Sequence, residues 1–275
     1  MAESVPAGAG DVALRAAWAR WAYSLLWCAP AIFVIGAGTL VATRVLFAIN
    51  YPERYNENVV SISETISRYP GSTVFQSASI AIAFCILVCW PLNFTMNRYR
   101  FGHLAHSGGS TWLLEGLNLA SCVTGMAAGV FLVLLGLYRL HDGSANHALH
   151  IELSIFYYSS QVIAFLFDGA CVVLQRKRLT GLDGAAERRS FKSRGIIAGA
   201  TTVTALWFLY MYLDRSGLFD LYIGQAIYVA TEYTLVLLFL AYPMAPFIEA
   251  RRHYAMRTER LSGENPNARL TLAEA

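Results

Sequence analysis

A glutamate stands in the middle of a long hydrophobic run, Tyr222–Ile248, and it constrains this 275-residue chain more than any other feature. At about 1.5 Å per residue the run is long enough to cross a bilayer core of roughly 30 Å. Glu232 lies ten residues in, or ~15 Å deep by the same rise, close to the midplane. A lone carboxylate there costs on the order of several kcal/mol, so it must face protein or trapped water rather than lipid tails. Gln225 and Tyr228 share its helical face, two turns and one turn above it. Whatever packs on that face has to be partly polar.

The rest of the chain supplies similar runs. Only 14% of the residues are charged and 56% are hydrophobic, against about a quarter charged in an ordinary soluble domain. Apolar spans are read at about Ala22–Thr43, Thr73–Phe94, Trp112–Tyr138, His150–Leu174 and Gly195–Leu213, with Tyr222–Ile248 as the sixth. Pro30 is expected to kink the first. Ser121, Gly125 and Gly129 form a small-residue row suited to close helix packing in the third. Of the 21 Lys and Arg, 16 fall before the first span, in the 96–111 and 175–194 connections and in the tail. The remaining five are Arg44, Arg54, Arg68, Arg139 and Arg215. The positive-inside rule then gives an all-α integral membrane protein of six transmembrane helices with both termini cytoplasmic. Residues 1–20 form a cytoplasmic N-terminal segment, 21–252 the transmembrane domain with a long outer loop over 44–72, and 253–275 a cytoplasmic tail.

Several chemistries are disfavoured at once. The basic residues sit beside spans rather than in a patch, so no nucleic-acid partner is expected. All five cysteines lie inside apolar spans, where they read as packing. No G-x-S-x-G elbow or P-loop is present, and the only lysines, Lys177 and Lys192, lie in one basic connection. His147 and His150 have helical i,i+3 spacing, but Glu152, the available third ligand, points about 200° away from His150. No metal and no cofactor are expected.

Polar side chains gather most clearly on the fourth span. His150, Ser154, Tyr157, Gln161 and Asp168 fall within about 40° of one direction at 100° per residue. Gln161 lies ~16 Å below His150 by helical rise, near the depth of Glu232. The two polar faces either hydrogen-bond as helix glue, on the order of 1 kcal/mol per contact, or line one outward-opening cavity. His150 fits a general base on a lipid hydroxyl or an interfacial cap. Asp168 is expected to meet Glu115 and Asn118 at similar depth, and a carboxylate pair there would share a proton.

Four short stretches resemble the Frag/DRAM/Sfk family of six-span membrane proteins. Asn58–Ile66 (NVVSISETI) is similar to that family's Pro-Ser-Ile-Ser outer loop, with Val60 where proline is usual. Leu117–Asn118, His150 followed by an aromatic-aliphatic run to Ser159–Ser160, and Glu232–Leu237 (EYTLVL) resemble the branch of post-GPI-attachment-to-proteins factor 2. The outer loop lacks the cysteine that this branch carries. The resemblance runs from about residue 20 to residue 252. It implies remodelling of the lipid of GPI-anchored proteins in the Golgi or endoplasmic reticulum, with the 44–72 loop lumenal. Members of that branch are needed when lyso-GPI receives an acyl chain, and a relative acts in ceramide exchange. The partner implied is a membrane lipid, GPI or lyso-GPI, with an unspecified acyl donor. Other branches imply the alternative of a non-catalytic lipid-binding, scrambling or regulatory protein. On the first reading His150 and Glu232 flank the reacting hydroxyl, His150 as base and Glu232 as orienting or protonating group. Tyr157, Gln161, Gln225 and Tyr228 line the lipid site, and Ser61, Ser63 and Arg68 of the outer loop cover it.

Overall fold

The computed structural model describes residues 22–57, 59–106, 111–138, 145–178, 185–213, 221–247 and 250–251. Every regular element among them is helical. In chain order these are α1 (Cys28–Asn50), α2 (Pro52–Glu57), α3 (Ile62–Ser67), α4 (Gly71–His106), α5 (Trp112–Leu137), α6 (Ala145–Arg178), α7 (Ala185–Leu213) and α8 (Leu221–Ala241). The expected N-terminal segment and tail, and the side chains of His103, His106 and His147, lie outside the described residues.

Among the described residues, five stretches are long and apolar enough to cross a membrane: Ala22–Asn50, Gly71–Arg98, Trp112–Leu137, Leu149–Gln175 and Gly224–Phe247. Their boundaries differ from the sequence-derived ones for one reason: charge ends the apolar stretch without ending the helix. α4 runs on to His106 through the basic residues read as a turn, and α6 extends beyond 150–174 at both ends. α1 likewise continues through Arg44 to Asn50, so the outer loop is shorter than 44–72 and holds two short helices. Pro30 acts as expected. A turn at Leu26–Trp27 interrupts the helix four residues before it, where the proline ring would clash with the carbonyl at i−4.

The long helices form a ring. Each packs on its neighbour in sequence, and α8 closes back against α1. α7 takes its place between α6 and α8. Small residues allow the closest approaches. A Cβ on Gly125 would run into the Trp90 indole of α4, one on Gly129 would crowd Ile86 and Leu87, and one on Gly36 would meet Leu240 of α8. Ser121, at the head of the same row, turns to α6 and donates to the Ala164 carbonyl at 3.1 Å.

Two features hold the two ends of the ring together. At the end of the ring that carries residues 51–70, α3 sits inward against α1, α4 and α8. Ser61 caps it: its Oγ accepts from the Glu64 N–H at 3.1 Å, a Ser-x-x-Glu helix start. In the other half a buried polar network centres on Asp168 of α6. Asn93 and Asn97 of α4 donate to its Oδ1 at 2.8 and 3.3 Å. Tyr242 and Arg194 donate to its Oδ2 at 2.6 and 3.4 Å. Asn97 also donates to Asn118 of α5 at 3.0 Å. The expected Asp168–Glu115 pair does not form, because Glu115 is exposed at the start of α5 and accepts from Thr111. A cation answers the buried carboxylate instead of a second acid.

Candidate functional site

The sequence puts Glu232 on the inner face of α8 and the structure supplies its partners from the loop between α1 and α4. The Ile62 N–H donates to Glu232 Oε2 at 2.9 Å, and Ser63 Oγ donates to Oε1 at 3.4 Å. A carboxylate is the natural acceptor for a backbone N–H in the first turn of a helix, where the chain offers no carbonyl of its own. Only 3% of Glu232 is exposed. Its burial is tolerated because both oxygens are hydrogen-bonded.

The loop is fastened at neighbouring residues too. The Val60 carbonyl accepts from Arg44 Nη1 at 3.2 Å, and the Val59 carbonyl accepts from Gln225 at 3.3 Å. Arg44 donates further to the hydroxyls of Tyr233 at 3.1 Å and Tyr55 at 3.4 Å, and its guanidinium lies over both rings. Residues 59, 60, 62 and 63 are thereby pinned in succession to α8 and α1. They form a roof.

Beneath the roof lies a cavity of about 70 Å³. Ile62, Ser63, His150, Ser154, Tyr157 and Glu232 all reach it, together with apolar side chains of α1, α4 and α5. His150 is buried, and its Nδ1 lies 3.3 Å from the Tyr138 carbonyl. A proton on Nδ1 donated to that carbonyl makes Nε2 the basic nitrogen, the tautomer a general base requires. Ser154 Oγ donates to the His150 carbonyl one turn back. The cavity therefore combines an imidazole, a carboxylate and seven hydroxyl-bearing side chains, Ser63, Ser154 and Tyr157 among them, with walls that are otherwise mostly hydrocarbon. Such a site can hold the polar end of an amphiphile beside its first methylenes.

Of the residues singled out from sequence, His150, Tyr157, Glu232 and Ser63 meet at this cavity. The others are placed differently. Ser61 is spent on capping α3. Gln225 shares the Glu232 face as expected, but two turns higher it stands above the roof and ties Val59 from outside. Tyr228 is rotated towards α7 and stacks on Phe208, with ring centres 5.1 Å apart. Gln161 lies below Tyr157 and lines a second, deeper cavity. Arg68 stands at the edge of the roof with its guanidinium over the Tyr51 ring. Helical periodicity gave the inward face for Gln161 and Gln225 but not for Tyr228. It carried no information on where the cavity ends.

Arg44 and Arg194 were missed. Both counted only as topology signals in the sequence, one outer and one inner. The available clue was the acid each half of the bundle buries, since a buried carboxylate needs a donor or cation. Among the described residues no group of three His, Cys, Asp or Glu is placed to hold a metal ion.

A family model described as the Frag1/DRAM/Sfk1/Cwh43P N-terminal domain matches residues 17–250. No curated protein and no solved structure matches the chain.

Proposed function

The chain belongs to the Frag1/DRAM/Sfk1/Cwh43P N-terminal domain family of membrane proteins, and on that premise we propose that it handles the lipid of GPI-anchored proteins at the lumenal leaflet, within the branch of post-GPI-attachment-to-proteins factor 2. In this reading α7 makes a sixth crossing, both termini are cytoplasmic, and the protein works in the Golgi or endoplasmic reticulum. The excess of Lys and Arg on one side supports that orientation.

The carrying observation is the roofed cavity, in which His150 and Glu232 border one space although they are 82 residues apart in sequence. The polar end of lyso-GPI, with the hydroxyl that receives an acyl chain, would lie under Ile62–Ser63. His150 would take the hydroxyl proton through Nε2 as oxygen attacks the acyl carbonyl, and would pass it to the donor's leaving oxygen or sulfur as the acyl–donor bond breaks. Glu232 would hold the roof in position, and opening of the roof would admit the lipid.

One observation favours a second reading. Both Glu232 oxygens are already occupied by Ile62 and Ser63, as suits a latch better than a reacting group. On that reading the protein binds or presents the lipid without transferring the chain. Complementation of cells defective in GPI-lipid remodelling tests the proposal. His150→Ala and Glu232→Gln proteins that reach the membrane at normal levels should fail to restore remodelled anchors. Full rescue by both variants would refute it. Purified protein given an acyl donor and a lyso-lipid then separates transfer from presentation.

A further inference from the structure

A second cavity, of about 50 Å³, lies deeper in the ring. Its walls are mostly hydrocarbon, contributed by α1, α4, α6, α8 and the Pro243–Phe247 stretch, with Trp90 among them. Gln161 is a polar side chain that lines it, while two others are turned elsewhere. Tyr242 Oη and Asn93 Nδ2 both donate to Asp168. A space so largely walled by hydrocarbon favours apolar matter over ordered water, which needs two or more polar partners.

Ile82, Tyr157 and Leu240 border both cavities. These three side chains stand between the space under the roof and the one below. Glu232 of α8 and Tyr242, just past its end, mark the two levels, ten residues apart, or ~15 Å by helical rise. Half a bilayer core is also ~15 Å, the reach of one acyl chain. We infer that the inner cavity receives an acyl chain of the lipid whose polar end occupies the roofed cavity, the chain passing between Ile82, Tyr157 and Leu240. This rests on reading the roofed cavity as the site of the polar end. Neither cavity at rest has room for a whole chain, so entry must displace the partition. Those three residues thereby set which chains are accepted.

Trp90 provides the test, since it is 7% exposed and faces the inner cavity. Full-length protein in nanodiscs would keep Trp90 and carry phenylalanine at the other five tryptophans. The probe is lysophosphatidylinositol brominated either near the end of its chain or beside the glycerol. Terminal bromine should quench Trp90, bromine beside the glycerol should not, and unbrominated lipid should reverse the quenching. Ile82→Phe should abolish the quenching. Should Ile82→Phe fail to fold, Tyr157→Leu, which widens the passage, should bring quenching on at lower lipid concentration. A lipid-induced rise in melting temperature that His150→Ala removes, with Trp90 emission unchanged, would overturn this inference and leave the roofed site standing. Neither a melting shift nor quenching would overturn both. Equal quenching by both bromine positions would mean exposure to bulk lipid and would also overturn it.

Discussion

Replacing Glu232 separates its place in the fold from its place in the chemistry. In Glu232→Ala the charge-assisted bond from the Ile62 N–H is lost, worth about 1.5–3 kcal/mol, and the N–H is left buried without an acceptor. Against this, removing a carboxylate from the interior of a membrane protein recovers about 2.5–3.5 kcal/mol on insertion scales. The two terms nearly cancel for the whole molecule, so the melting temperature in detergent should move little. They do not cancel for the roof alone. The desolvation gain belongs to the folded bundle whether the loop is docked or not, whereas the lost bond belongs to docking. Opening of 59–67 should therefore become ~10- to 150-fold more frequent, at 1.4 kcal/mol per factor of ten. Glu232→Gln keeps an acceptor for Ile62 and gives up about 1 kcal/mol of charge assistance, so opening should rise only ~5-fold. Hydrogen exchange resolved to Ile62–Ser67 measures both. An Ala variant whose exchange in α3 matches the parent would refute the assignment of Glu232 as the latch of the roof.

Three further outcomes follow from the packing. Asp168→Ala removes the carboxylate that faces Arg194, whose side chain is 0% exposed, and should cost ~3–5 kcal/mol in thermal unfolding, only part of it recovered by Asp168→Leu with Arg194→Met, because Asn93 and Tyr242 still lose their acceptor. Gly125→Ala drives a methyl into Trp90 and should cost about 1–3 kcal/mol, partly relieved by Trp90→Leu; Gly116→Ala, with open space around it, should stabilise by up to ~1 kcal/mol. Arg44→Lys keeps the charge but loses the fork that reaches Val60 and Tyr233 together, so limited proteolysis within 51–61 should be several-fold faster.

The polar face of α6 was legible because helical geometry is local. His150, Ser154, Tyr157, Gln161 and Asp168 recur at turns of one helix, and all of them point inward. The row Ser121–Gly125–Gly129 was legible for the same reason. The partners of these residues were not. Asp168 was matched to Glu115 by depth alone, but α5 turns Glu115 outward, while Arg194, assigned to a loop, continues into the bundle as part of α7. Likewise the Ser61–Ser63 stretch was recognisable as a cover. That it covers by donating to Glu232, with Arg44 pinning the carbonyl beside it, depends on contacts between residues 16 to 189 apart.

Taken alone, the order of residues determined an all-helical membrane protein, the inward faces of its helices and the acid that must be sheltered. Each follows from periodicity and from the cost of charge in hydrocarbon, quantities that neighbouring residues set. Only the closed ring decided which donors reach Glu232, which cation reaches Asp168, and that Tyr157 stands between two cavities. A hydrogen bond needs its atoms within about 3 Å. Such coincidence across distant helices is set by how the whole ring packs.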